Sequence, residues 1–174
     1  MVYPIPRGTV ELDELDKRLI NLLQEDCRAP LNVLASRLRT SKSTVHYRIR
    51  RLETERLIEG YYARINAGKV KKAHAAIVLT RAKPGLSSKG RVTAARQIAA
   101  IPGIWAVYAV FGEYDYIFLV RGNDGRELAE RISRVAQLPT IERTCTQIVD
   151  IPVKEDPRIT LEEKWPKRIS KRAA

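Results

Sequence analysis

Arg37, Arg39, Lys42, Arg48, Arg50 and Arg51 fall within residues 37–51, and no acid separates them. A solvated helix face normally mixes both signs of charge, and acids do not resume here until Glu53. The stretch therefore suits a surface laid against phosphates better than the competing reading, an ordinary amphipathic helix in water. Ser43, Thr44, His46 and Tyr47 are interleaved with the cations. Their hydroxyls and ring nitrogens donate and accept hydrogen bonds. Cations that neutralise a backbone, together with short polar groups that meet base edges, are the chemistry of nucleic-acid contact.

Those residues need a helix to carry them and others to hold it. Thr40 or Ser41 is a suitable N-cap, and Val45, Ile49 and Leu52 then recur at i, i+4 and i+7. That stripe faces a core and turns Ser43, Tyr47, Arg50, Arg51 and Thr54 outward. Upstream, Asp13 with Asp16 three residues on reads as a capping box, and Leu15, Leu19, Leu22 and Leu23 form the stripe of a helix ending near residue 25. A shorter helix over residues 31–38 carries Leu31, Leu34, Ala35 and Leu38. Three helices with one apolar face each bury those faces against one another. The short connection at residues 39–41 makes the last two a helix-turn-helix corner. The third helix then lies outside, as entry into a major groove about 12 Å wide requires. On this reading Lys42, Ser43, Thr44, His46 and Tyr47 approach the bases of double-stranded DNA. Arg48, Arg50 and Arg51, with Arg37 and Arg39, neutralise phosphates.

The whole chain agrees with that partner. It has 174 residues, room for one large or two small domains, 44% hydrophobic content, and a formal charge of +12. Cys27 and Cys145 stand without CxxC or Cys/His spacing, so neither a metal site nor a disulfide framework is indicated, and both are expected as reduced core or half-buried thiols. No run approaches the roughly 18 apolar residues of a membrane span, and a cytoplasmic protein is expected. His46 and His74 have no nucleophile or carboxylate in a recognised catalytic spacing, and Walker A, GxGxxG and HExxH patterns are absent. No enzyme and no cofactor are expected.

Residues 57–65 are rich in strand formers and lead into a turn-like Asn66, Ala67, Gly68 and Lys69. Beyond them, residues 73–80 read as a strand. Residues 87–101 read as a helix with Val92, Ala95 and Ala99 inward, stopped by Pro102 and Gly103. Strands at 104–111 and 114–120 follow, joined through Gly112 and Glu113 as a hairpin. Asp124 caps a helix with Leu128, Ile132, Val135 and Ala136 buried, and residues 140–152 supply a last strand. The order βαββαβ is that of a ferredoxin-like α+β domain, with two helices on one face of an antiparallel sheet. An RNA-recognition domain shares this order, but the acid in Tyr114-Asp115-Tyr116 sits where its motif needs a neutral platform.

LDELDKRLINLLQED, SKSTVHYRIRRLE and LIEGYYARIN, in this order, resemble the N-terminal half of the Lrp/AsnC, or feast/famine, transcriptional regulators. The second half is similar as well, most specifically at residues 111–116, which match the family's G-x-x-D-Y hairpin, and more weakly at residues 144–146. The resemblance covers about residues 12–155. It implies a winged-helix-like DNA-binding domain over residues 1–64, a linker at 65–72, and an effector-binding and oligomerisation domain over 73–155. It also implies an amino-acid site between protomers, lined by these segments. One departure is Arg39, which stands where the family's turn usually carries glycine and so asks for a less comfortable backbone.

An amino acid presents an ammonium and a carboxylate. Asp115 suits the first; the backbone of residues 112–114, including Glu113 and Tyr114, and the hydroxyls of Thr144 and Thr146 suit the second. The same residues have structural uses: Gly112 in the turn, Asp115 bonding within the hairpin, and the threonines in strand pairing. Trp105, Val107, Ala109 and Phe111 alternate with Ala106, Tyr108 and Val110, leaving apolar groups on both faces of a strand that helices cover on one side. A homodimer or higher oligomer is expected, because one recognition helix reads few base pairs. An amino-acid-sensing subunit of a metabolic enzyme is the alternative, and it leaves the basic helix unexplained. Residues 156–174 form a basic, proline-punctuated tail, which either adds phosphate attraction or packs on a neighbour.

Overall fold

The chain is described from a computed structural model, in which residues 9–161 are described. They form two compact units: residues 9–63 with 155–161, and residues 64–154.

The first unit contains three helices. Helix α1, Glu14–Glu25, opens with the reciprocal capping box: Asp16 N–H donates to Asp13 Oδ1 at 2.8 Å and Asp13 N–H to Asp16 Oδ2 at 3.2 Å. Helix α2, Leu31–Leu38, ends at Arg39, whose φ of 56° and ψ of 48° place it in the left-handed region. This is the uncomfortable backbone that a side chain at the turn implies. Helix α3, Lys42–Thr54, is capped by the Ser41 hydroxyl, which accepts from Thr44 N–H at 3.0 Å. Leu19, Leu34, Val45 and Leu52 are buried at the centre, with Ile49 packed against them.

Residues 57–65 are not a strand. Arg56 turns at φ 55°, and the N–H groups of Leu57 and Ile58 both return to the Leu52 carbonyl. These two side chains then pack on the helical core, while the Tyr61 phenol donates to Glu53 at 3.0 Å. Burial and that acid push Tyr61 up to about 12. The described part of this unit holds no second strand, so an extended segment there has no ladder to join.

The second unit begins with a 3-10 turn, Ala67–Val70. It then runs β1 His74–Ala82, α4 Ser88–Ala99, β2 Ile104–Ala109, β3 Tyr116–Gly122, α5 Gly125–Ala136 and β4 Ile141–Val149. The four strands are antiparallel in the order β2-β3-β1-β4. Val78, Tyr116, Phe118 and Val120 meet Ala94, Ile98, Leu128 and Val135 of the helices in one core.

Three expectations are corrected here. Helix α4 turns Ala94 and Ile98 inward and leaves Val92 and Ala99 exposed. The cause is Arg91, which donates to the Val110 carbonyl at 3.3 Å and pairs with Asp115 at 2.8 Å, drawing the row 91, 94, 95 and 98 toward the sheet. On α5, Leu128 and Val135 are buried with Ile132 packed against them, but Ala136 is exposed. The hairpin is longer than a two-residue turn: strands stop at Ala109 and restart at Tyr116, and Val110 N–H donates to the Asp115 carbonyl across the connection.

A left-handed residue with a side chain is strained relative to glycine there. Arg39→Gly therefore holds or raises stability by up to about 1 kcal/mol, whereas β-branched Arg39→Val lowers it by at least about 1 kcal/mol. Urea unfolding followed through the helical signal reads both. A glycine variant less stable than the parent would contradict the strain.

Candidate nucleic-acid interface

Helix α3 presents Lys42, Ser43, His46, Tyr47 and Arg50 to solvent, and Tyr47 is 68% exposed. Thr44 is half-buried; its hydroxyl and that of Ser43 each lie 2.8 Å from the Ser41 hydroxyl, so the cap gathers both at the start of the helix. Arg37 and Arg39 are exposed on the end of α2 and the turn. Arg37 lies 3.4 Å from Glu25, an exposed pair worth little in water. Arg50 is 3.7 Å from Glu53 and mostly exposed. These positions leave the outer face of α3 with cations and hydrogen-bonding groups and no acid before Glu53.

Arg48 and Arg51 are placed otherwise than expected. Instead of facing phosphates, both turn inward onto helix α1. Arg48 Nη1 donates to Asp16 Oδ1 at 2.8 Å and to Asp13 Oδ2 at 2.6 Å, and Arg51 Nη2 donates to Asp16 Oδ2 at 2.5 Å. Asp16 is 1% exposed. A buried carboxylate without partners costs several kcal/mol, so the nearest cations are drawn to it rather than to solvent. The Arg48 guanidinium beside Asp13 holds that carboxyl below its usual range, helped by the Asp16 N–H. A lowered folded value means that this pairing stabilises above the unfolded carboxylate value of about 3.9 and fades as pH falls through the folded value.

Asp16 is the site residue that the sequence pattern leaves out. Its spacing from Asp13 marks a capping box, but it also shares the inward row of α1 with Leu19, Ile20 and Leu23, at i, i+3, i+4 and i+7. An acid in the apolar row of one helix, facing a run of cations on another, was the available signal. Cys27 is likewise exposed rather than buried, while Cys145 is half-buried.

The second candidate site is the connection between β2 and β3. Asp115 is held on both oxygens, by Arg91 at 2.8 Å and by Ala82 N–H at 2.8 Å. The carboxylate is thus engaged outside the hairpin, by α4 and the end of β1, rather than within the hairpin as expected. Gly112 has a φ of 140°, a backbone that side chains rarely adopt. Glu113 pairs with Arg143 at 3.1 Å, and the Arg143 guanidinium lies 5.8 Å from the centre of the Tyr114 ring. The Glu113 charge and then burial raise the Tyr114 phenol above its ordinary value.

Strand register divides the remaining candidates. Thr144 and Thr146 pair with Thr80 and Val78, which are fully buried under the helices, whereas Arg143 and Cys145 pair with Arg81 and Leu79 on the other face. Glu113 and Tyr114 are thus brought to Arg143 and Cys145, and the two threonines project from the opposite face of β4. Among the described residues, no cluster of His, Cys, Asp or Glu has the makings of a metal site.

The helix-turn-helix unit with its basic outer helix has the make-up of a DNA-binding domain, whereas the βαββαβ order by itself hosts many functions. Residues 12–53 match the AsnC-type helix-turn-helix domain and residues 75–159 the Lrp/AsnC ligand binding domain. An HTH-type transcriptional regulator of Pyrococcus horikoshii is 33% identical over 148 residues, covering 83% of this chain and 97% of that protein. The HTH-type transcriptional regulator FL11 of the same organism is 33% identical over 140 residues, 80% of this chain and 90% of that one. Among solved structures, a feast or famine regulatory protein from M. tuberculosis complexed with L-methionine has a TM-score of 0.77 at 32% identity, over 86% of this chain and 99% of that chain. A Neisseria meningitidis transcriptional regulator complexed with L-Met shares the fold, with a TM-score of 0.78 at 18% identity over 86% and 96%. The chain belongs to the Lrp/AsnC family of transcriptional regulators.

Asp16→Asn separates the anchoring role from simple charge. Removing an acid beside a DNA-binding helix should tighten binding if only net charge mattered. The expected result is the opposite, weaker DNA binding together with a stability loss of about 3 kcal/mol, the low end for a broken buried pair because both arginines keep some water. Denaturation and duplex titration measure the two effects, and tighter binding with unchanged stability would contradict the anchor.

Proposed function

We propose that the exposed face of α3 reads double-stranded DNA, that the protein acts in the cytoplasm as a homodimer or larger homo-oligomer, and that an amino acid shifts its assembly or its DNA affinity. The observation that carries the DNA reading is the division of labour on α3. Arg48 and Arg51 are committed to the buried acid of α1, and Lys42, Ser43, His46, Tyr47 and Arg50 remain outward. Ser43, His46 and Tyr47 then meet base edges with Thr44 at the cap, and Arg37, Arg39, Lys42 and Arg50 meet phosphates.

The face of the sheet opposite the helices supports assembly. Ile77, Trp105 and Tyr108 are 39%, 52% and 56% exposed, with Leu79, Ile117 and Leu119 half-buried among them. A contiguous apolar face of this kind favours a second copy of itself related by two-fold symmetry. Two copies also supply the second half-site that one short helix lacks.

The sensing role is supported by the hairpin and by the L-methionine complexes of two structural neighbours. Glu113 and Arg143 are the exposed charges at that place, and suit the ammonium and carboxylate of a free amino acid. Gly112 and Tyr114 shape the site and Asp115 braces it through Arg91, while Thr144 and Thr146, on the opposite face of β4, stay outside it. The role is binding and regulation, not catalysis.

Lys42→Ala with Arg50→Ala weakens binding to every duplex and lowers the salt slope by about 2, near 0.9 for each phosphate left without its cation. Tyr47→Ala or His46→Ala instead changes which sequence is preferred. Titrations over a salt series read these effects; intact slope and intact preference in all variants would remove α3 from the interface.

Leu119→Asp puts a charge in the middle of the open sheet face and reduces the sedimenting mass to that of a monomer. In the unaltered chain, one of the twenty amino acids changes the sedimenting mass, or the DNA affinity by about 5- to 150-fold. An unchanged mass in the variant removes the assembly surface, and no response to any amino acid removes the sensing role.

A further inference from the structure

The positive charge of the chain is unevenly shared between its two units. The helix-turn-helix unit, residues 9–63 with 155–161, carries eleven Lys or Arg and eleven Asp or Glu. Residues 64–154 carry fifteen against seven. The basic tail beyond residue 161 lies outside the described residues. The excess therefore sits on the unit with the sheet, not on the unit with the reading helix. It repels a second copy and works against the compact state, whereas it attracts a polyanion.

The excess is also local. From residue 60 to residue 112 the chain has no acid. The acids of this unit come later, and most are engaged by cations, Glu113 by Arg143 and Glu142 by Arg81 among them. Its two helices show the contrast. Helix α5 mixes both signs and pairs them one turn apart, Arg126 with Glu130 and Arg131 with Glu127, as a solvated face does. Helix α4 has Lys89, Arg91 and Arg96 and no acid at all. Arg91 is turned inward onto Asp115. Lys89 and Arg96 are exposed, and neither forms an ion pair among the described residues.

Seven positions are two helical turns, so these two cations stand on one side of α4, about 10 Å apart along its axis. Between them Val92 is apolar, and the Thr93 hydroxyl donates to the Lys89 carbonyl at 3.0 Å. The ridge thus offers charge and little with which to read a base edge. A duplex carries one negative charge per about 1.7 Å of its axis, so a pair of cations at this spacing finds phosphates on any sequence.

We propose that the outer side of α4, through Lys89 and Arg96, is a second DNA contact of this protein, made with phosphates and independent of sequence. It rests on the DNA-binding reading of α3 for its partner. It goes beyond that reading by giving the sensing unit its own hold on DNA, while α3 keeps the choice of sequence.

The test compares the full chain with Lys89→Gln plus Arg96→Gln on α4, and with Arg126→Gln plus Arg134→Gln on α5, which removes the same charge from the same unit. Each is titrated over a salt series with a mixed-sequence duplex of about 60 base pairs, a library-enriched duplex, and a single-stranded RNA of equal length. The α4 pair lowers the salt slope by about 2 per protomer on both duplexes, with the ratio of their affinities and the sedimenting mass unchanged. The α5 pair leaves the slope within about 0.5 of the parent. The α4 loss recurs at the same size when Lys42 and Arg50 are already Ala. An unchanged slope in the α4 variant, while the Lys42 and Arg50 changes still lower it, overturns the proposal and leaves the α3 reading standing. Equal losses from α4 and α5 reduce the effect to net charge and also overturn it, as does a loss accompanied by a lower sedimenting mass. A loss on RNA alone gives the ridge to a different polyanion and overturns it too. Failure of the full chain to bind either duplex overturns both readings.

Discussion

The placement of helix α3 depends on one carboxylate. Asp16 is buried at the junction of α1 and α3, and its two oxygens receive Arg48 and Arg51 from successive turns of the reading helix. Apolar contacts from Val45, Ile49 and Leu52 set the distance between the helices, but an apolar stripe tolerates rotation and sliding. Two charged bonds of fixed direction do not. The cluster is imperfect as a stabilising device, since Arg51 Nε is buried with no partner among the described residues. Buried ion pairs are weak contributors to net stability, and their best-attested use is to fix register. Here that register decides which side chains of α3 reach solvent.

The same principle operates in the second unit. Asp115 is held by Arg91 and by the Ala82 N–H, and Arg91 also donates to the Val110 carbonyl. The Tyr116 phenol closes the arrangement by donating to the Arg91 carbonyl at 3.0 Å. An acid that looks available for a ligand in the sequence instead ties the start of α4 to the hairpin and fixes the rotation of that helix. The exposed charges Glu113 and Arg143 are left at the surface. In both units one acid and its arginine partners settle geometry, and neighbouring polar residues are left for contact.

The elements were legible in the sequence because each carries its own local signal. Asp13, Ser41 and Asp124 cap helices where expected, and periodicity located the four strands to within a few residues. Rotations and pairings were less legible, because they depend on residues far apart in the chain. Val92 looked inward by spacing alone, but Arg91 turns α4 toward a loop nineteen positions away. Residues 57–65 had strand composition without a strand to pair with. The charge of Arg48 and Arg51 is visible in the sequence and points to phosphates, whereas the burial of Asp16, more than thirty positions away, is not visible there.

The central claim is that the Asp16 cluster positions the reading face rather than merely holding the fold. Replacing it whole tests this most directly, with Asp16→Leu, Arg48→Met and Arg51→Met in one chain. Apolar substitution of a complete buried ion cluster is close to neutral for stability or favourable by about 1–4 kcal/mol, so this variant remains folded. The measurement is the ratio of affinities for a library-enriched duplex and its scrambled counterpart at the same salt concentration. The account predicts that the ratio falls at least about tenfold, roughly 1.4 kcal/mol, while the helices remain intact. An unchanged ratio in a folded variant would show that apolar packing alone sets the reading helix, and would contradict the account.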